Sequence, residues 1–229
     1  ALEIEIDPLE QIDEDSFPKG LNITQECNEA LKMLKGNREE RIQGLRIFCE
    51  YRDSRSFPLL LPLLDQPCPV ERMSVVYALG RNPCPSAVEK LVSLLETDDN
   101  AYVRRATAWS LANYDNQIVL EPLINALKND VAAVRLWSSS SLAEIGNVSL
   151  ENAQLAAEQL LISLKIDNEP GVRSNCIWSL CRLYEKLNNT FQESFVDECT
   201  KIALFDKEPS VMEEAKTALD SMGMQGFYN

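Results

Sequence analysis

The stretch "VRRATAWSLANY", residues 103–114, returns in register without a gap as "ERIQGLRIFCEY" at 40–51, "ERMSVVYALGRN" at 71–82, "VRLWSSSSLAEI" at 134–145 and "VRSNCIWSLCRL" at 172–183. A sixth copy, "VMEEAKTALDSM" at 211–222, has Met212 where the others have an arginine. The equivalent arginines are Arg41, Arg72, Arg104, Arg135 and Arg173, so successive copies lie 31, 32, 31, 38 and 39 residues apart. Self-similarity at this period marks a stacked helical array.

Upstream of these copies lies a second apolar run at helical spacing: "FPLLLPLL" from Phe57, "AVEKLVSLL" from Ala87, "VLEPLINAL" from Val119, "AAEQLLISL" from Ala156 and "FVDECTKIAL" from Phe195. Each repeat therefore reads as a helix A, a short turn rich in Asp, Asn, Pro or Gly, and a helix B. The two longer steps predict inserts near "NVSLENAQ" (147–154) and "LNNTFQES" (187–194), read as loops with longer A helices. No single pair can bury its apolar face alone, so stacking on neighbouring pairs must supply the core.

Helix B can be numbered from the residue before the arginine, taken as zero, at about 100° per residue. Slots 0, +4, +5 and +8 then hold Val103, Thr107, Ala108 and Leu111 in one copy and Val172, Cys176, Ile177 and Leu180 in another. Slot +9 is always small: Cys49, Gly80, Ala112, Ala143 and Cys181. These slots form the expected buried half, and slots +2, +3, +6 and +10 the expected exposed half. Cys176 and Cys181 lie about 140° apart on this wheel and do not converge on one site.

Composition narrows the chemistry. The chain has 22 Lys and Arg against 36 Asp and Glu, a formal charge of −14, which disfavours nucleic acid and anionic membranes as partners. No apolar run approaches the length of a membrane span, and no charged-then-apolar leader precedes Leu2, so a cytoplasmic location is expected, with a plastid stroma as the other fit. Seven cysteines at irregular spacing point to reduced thiols. There is no histidine, which removes imidazole metal ligation and histidine-activated nucleophiles. No phosphate loop, C-x-x-C pair or nucleophile elbow occurs, so no catalytic and no metal residue is assigned.

The helix B pattern, with the preceding "DSRSFPLLLPLL" (53–64), resembles the HEAT-like repeats of the phycobilisome lyase family, with their D-x-R-A-x-P-x-L opening and V-R-x-x-A-A-x-A-L-G second helix. The resemblance covers about residues 24–223. It implies an all-α α-solenoid of about six antiparallel helix pairs, a HEAT-like or armadillo-type superhelix. An acidic N-terminal tail (1–23) and a short C-terminal tail (224–229) flank it. The first and last copies depart from the pattern, as terminal caps do. The resemblance also implies two settings for the protein, phycobilisome biology and iron–sulfur protein biogenesis, and a cyanobacterial or plastid type.

Candidate functional residues come from the half of helix B that stacking does not require. Slot +6 holds Tyr77, Trp109, Ser140 and Trp178, slot +3 of the fourth copy holds Trp137, and Arg105, Arg81, Asn113 and Arg182 accompany them. Tryptophan, tyrosine and arginine dominate interface hot spots. The expected role is a non-enzymatic, chaperone-like scaffold that grips a protein with a basic or mixed surface in a groove lined by Tyr77, Arg81, Arg105, Trp109, Asn113, Trp137, Trp178 and Arg182. No cofactor is needed for that role. The alternative, drawn from the resemblance, is a bilin lyase subunit, working as half of a heterodimer, whose aromatics stack on an open-chain tetrapyrrole and whose arginines pair its propionates. The arginine row is read as architectural, each side chain bonding carbonyls or acids of the preceding repeat. Residues 1–18 carry seven acids and no base, with Leu2, Ile4 and Ile6 alternating among them, and read as a solvated tail or a strip laid on a surface.

Overall fold

Asparagine, serine and proline start most of the helices of the computed structural model, which describes residues 23–224. In the first of two compact units, Ala1–Asn113, the helices are α1 (Ile23–Met33), α2 (Arg38–Glu50), α3 (Phe57–Leu60), α4 (Pro69–Arg81), α5 (Val88–Thr97) and α6 (Ala101–Leu111). In the second, Tyr114–Asn229, they are α7 (Leu120–Asn129), α8 (Ala132–Gly146), α9 (Leu150–Ile166), α10 (Pro170–Leu183), α11 (Asn189–Phe205) and α12 (Pro209–Ser221). Asn37 closes a capping box with Glu40 at the head of α2. Asn100, Ser149 and Asn188 cap α6, α9 and α11. Pro69, Pro170 and Pro209 open α4, α10 and α12, where a missing N–H costs nothing.

Odd-numbered helices are the A helices and even-numbered ones the B helices, and the described residues hold helices and 3-10 turns without a strand. Within each unit every B helix packs on its own A helix and on the B helices before and after it, α2 on α4 on α6 and α8 on α10 on α12. This is the stacked all-α repeat architecture that the period predicts. Residues 1–22 of the acidic tail lie outside the described residues, as do residues 225–229, and Ile23, counted with the tail, opens α1.

Two local readings are refined. The "FPLLLPLL" run does not make one helix: α3 is a single turn, followed by a 3-10 turn at Leu61–Asp65. Pro62 has no N–H for the ladder, and its ring crowds the carbonyl four residues back. The two inserts mostly lengthen the A helices, because α9 and α11 each span 17 residues against 10 for α5 and α7. Both begin at a side-chain cap inside the supposed loop, Ser149 and Asn188.

The arginine row is structural, and its direction is the reverse of the expected one. Arg72 forks onto Asp98 through Nε and Nη2 at 2.8 and 2.9 Å. Arg135 forks onto Asp167 at 2.7 Å twice, and Arg173 onto Asp206 at 3.0 and 2.7 Å. Arg41 pairs with Glu71. Each acid belongs to the repeat that follows, whereas Nη1 donates to carbonyls of the arginine's own A–B turn: Gly36, Gln66, Asp130 and Asp167. Arg104 donates in the same way to the carbonyl of Asp98. One guanidinium thus closes its own turn and clamps the next, which a planar five-donor group can do and an ammonium cannot.

Burial works to raise the carboxyls of Asp167 and Asp206. The Arg135 fork and the Glu169 amide outweigh it at Asp167, and the Arg173 fork and the Glu208 amide at Asp206, so both are held below the usual carboxylate range.

Candidate functional site

Helix B side chains at the proposed exposed slots fare differently in the two units. In the first unit α4 is enclosed by α2 and α6, and Met73, Ser74 and Tyr77 are buried although slots +2, +3 and +6 were read as exposed. Tyr77 is only 5% accessible. Its ring lies 5.4 Å from that of Trp109 at 60°, and its hydroxyl accepts a hydrogen bond from Arg105 Nη2 at 3.2 Å. Tyr77 is therefore corrected from a groove-lining residue to a core residue beneath Trp109.

Trp109 itself is half-buried, and Gly80 makes room for it. A Cβ built on Gly80 would stand 2.4 Å from Trp109 Cζ3, so the small slot +9 serves an aromatic ring of the next helix as well as backbone approach. The flanking polar groups are also engaged. Arg105 lies over Tyr102 at 5.6 Å, Arg81 donates to the Cys49 carbonyl, and exposed Asn113 donates to Ser110 O. Tyr77 and Trp109 are packing residues with a polar edge, whereas Tyr102, under Arg105, is exposed.

The second unit presents a different arrangement. Trp178 on α10 is 40% exposed. The Arg182 guanidinium lies 4.9 Å from its ring centroid and is held there by Glu144 on α8 at 2.7 Å. Trp137 is half-buried on α8. A recess of about 270 Å³ opens beside Trp178, lined by Ser140, Gly171, Ser174, Asn175 and Glu214.

Asn175 is fixed from within the fold. Its amide nitrogen donates to the Leu136 carbonyl at 2.9 Å and to Ser139 Oγ at 2.8 Å, and also reaches Ser140 Oγ. A main-chain carbonyl can only accept, so the amide nitrogen faces α8 and Oδ1 is turned away from it. Ser179 Oγ donates to the Ser139 carbonyl at 2.8 Å, which extends this polar seam between α8 and α10. Glu214, on α12, has no ion-pair partner among the described residues.

Of the eight residues proposed from sequence, the structure brings Trp178 and Arg182 together in the second unit, and Tyr77, Arg105 and Trp109 in the first. Sequence reading missed Asn175, Ser174 and Glu214. Their slots, +3, +2 and +3, were those marked exposed, but polar residues on an exposed face carry no distinguishing signal.

The thiols of Cys27, Cys84, Cys176 and Cys199 are buried, and those of Cys49, Cys68 and Cys181 half-buried. Burial pushes Cys49 up to about 12 and Cys181 to about 11, and raises Cys176 and Cys199 as well, so these sulfurs are not thiolates near neutral pH. No group of three or more Cys, Asp or Glu among the described residues is placed to hold a metal ion. No described helix is long and apolar enough to cross a membrane.

Solved structures share this architecture. A designed armadillo repeat protein matches with a TM-score of 0.58 at 19% identity, over 91% of this chain and 100% of that one. A second, solved in complex with the peptide (KR)4, matches with a TM-score of 0.59 at 17% identity, over 90% and 100%. At these identities the likeness concerns the fold alone. No curated protein matches the chain. The family model for HEAT repeats matches residues 28–112 and again 88–181, and these matches say nothing of the phycobilisome lyase subfamily, which rests on the quoted motifs. With more than half of its length matched and its helix pairs stacked as that family requires, the chain belongs to the HEAT-repeat family.

Proposed function

We propose that the protein is a non-catalytic scaffold that holds a segment of another protein against the B helices of its second unit, with Trp178 as the anchor. The observation that carries this reading is an indole that stays 40% exposed and lies under Arg182, which is itself paired with Glu144. A side chain already immobilised loses little rotamer entropy on binding, which is what makes tryptophan an effective hot spot. The net charge of −14 favours a partner with a basic or mixed surface. A fold-similar designed armadillo protein is known with a Lys–Arg peptide, which supports the same direction. The narrower setting, phycobilisome or iron–sulfur protein biogenesis, is supported by the motif resemblance alone.

The test is affinity capture with tagged wild type and Trp178→Ala, each checked by circular dichroism. Proteins retained by wild type and lost from Trp178→Ala at unchanged helical signal are the expected result. Identical capture by both would overturn the reading. Trp109→Ala is a poor probe, because that ring packs on Gly80 and Tyr77 and its loss perturbs the fold itself.

A further inference from the structure

We infer that the recess beside Trp178 is a subsite for one basic side chain, arginine or lysine, of the bound segment; this rests on the scaffold reading above and names what its anchor recognises. Trp178 has two sides along α10. Arg182 lies four residues C-terminal and covers one of them. Gly171, Ser174 and Asn175 lie seven, four and three residues N-terminal, on the same face of the helix, and line the recess on the other.

What the recess offers is acceptors. The amide nitrogen of Asn175 is committed to the Leu136 carbonyl and the Ser139 hydroxyl, so the group it can present to a ligand is its carbonyl oxygen. Glu214 adds a carboxylate, from α12, that forms no ion pair within the described residues. By contrast, the carboxylates of the arginine row and Glu144 already hold guanidinium partners. An aromatic face, a fixed carbonyl oxygen and an uncommitted carboxylate around about 270 Å³ suit a cation with several N–H donors. A carboxylate or phosphate would meet Glu214 without a compensating charge in the lining.

The geometry also distinguishes a site from general attraction. A neighbouring carboxylate, Glu213, sits one residue away on α12, exposed and outside the recess. Removing either charge changes the net charge equally, so a difference between them reads position alone.

The experiment uses the full chain and a fluorescein-labelled octapeptide of alternating lysine and arginine, followed by anisotropy at physiological salt. Wild type is expected to bind it, Glu214→Gln to bind at least tenfold more weakly, and Glu213→Gln to stay within about twofold. A peptide with citrulline and norleucine in place of its cations is expected not to bind. Equal weakening by Glu213→Gln and Glu214→Gln, an unaffected Glu214→Gln, or no binding by wild type would each overturn the subsite. Should any of these occur while capture of partner proteins still depends on Trp178, the scaffold reading stands and this inference alone falls. If capture does not depend on Trp178, the scaffold reading falls first.

Discussion

Slot +6 of helix B shows how one position in a repeat takes opposite roles. Tyr77 is buried there because Trp109, in the same slot of the next B helix, lies across it and over Gly80. Trp178 is exposed there, and the next B helix, α12, carries the small Thr217 in that slot in place of a ring. The contrast predicts different costs. Trp109→Ala should destabilise by about 2–4 kcal/mol, since it leaves a cavity over Tyr77, whereas Trp178→Ala should stay within about 1 kcal/mol. Urea denaturation of the two variants checks this. Gly80→Ala should cost about 1–3 kcal/mol, because the new methyl group falls inside the contact distance of the Trp109 ring, which must shift to admit it. An equally stable Gly80→Ala would mean that Trp109 can swing outward.

At the scale of helices, the repeated element is the clamp between consecutive A–B turns. Asp206 receives both Nε and Nη2 of Arg173, and Arg173 is itself 5% accessible. Asp206→Ala would leave a buried guanidinium without its counter-charge and should destabilise by about 3 kcal/mol. The loss should depend on pH with a definite sign. The folded-state pKa of Asp206 lies below its unfolded value of about 3.9, so its contribution is complete above that value and disappears as pH falls through the folded one. Thermal melts of wild type and Asp206→Ala should therefore run at a constant separation above about pH 5 and converge below about pH 4. A separation that persists at the lowest pH would show that the aspartate acts through its backbone cap at Glu208 rather than through its charge.

The helices also show which sequence signals were sufficient. Asn37, Asn100, Ser149 and Asn188 announce their helices because a side-chain acceptor followed by free N–H groups is a local arrangement. The break in "FPLLLPLL" was equally local, since Pro62 cannot continue a helix, although the run of leucines suggested otherwise. The partner of each arginine was not local. Glu71, Asp98, Asp167 and Asp206 lie 26 to 33 residues from the arginines they pair with, and only the stacking of one turn on the next brings them together.

For the molecule as a whole, the surplus of acid should appear in kinetics. Association of the Lys–Arg peptide should be fastest at low ionic strength and slow by about tenfold or more between about 0.01 and 0.15 M salt, as screening shortens the reach of the field. Dissociation should change less, since it reports close contacts at Trp178 and Glu214. Stopped-flow traces at several salt concentrations separate the two rates. A salt-independent association rate would remove long-range charge from the account.

The sequence by itself determined the all-helical class, the helix-pair repeat and its period, and the apolar stripe of each B helix. A stripe repeated in register leaves an array of stacked pairs as the way to bury it. It also determined the clamp arginines, which recur at one slot through five copies. The tertiary structure alone decided which exposed-slot residues reach the surface. That depends on how closely the neighbouring helix approaches and on what it carries, so Tyr77 is covered and Trp178 is not. It alone oriented Asn175, whose amide is set by a carbonyl 39 residues earlier in the chain. Periodicity fixes the direction of a side chain from its own helix axis, but burial and hydrogen bonding belong to the space between helices.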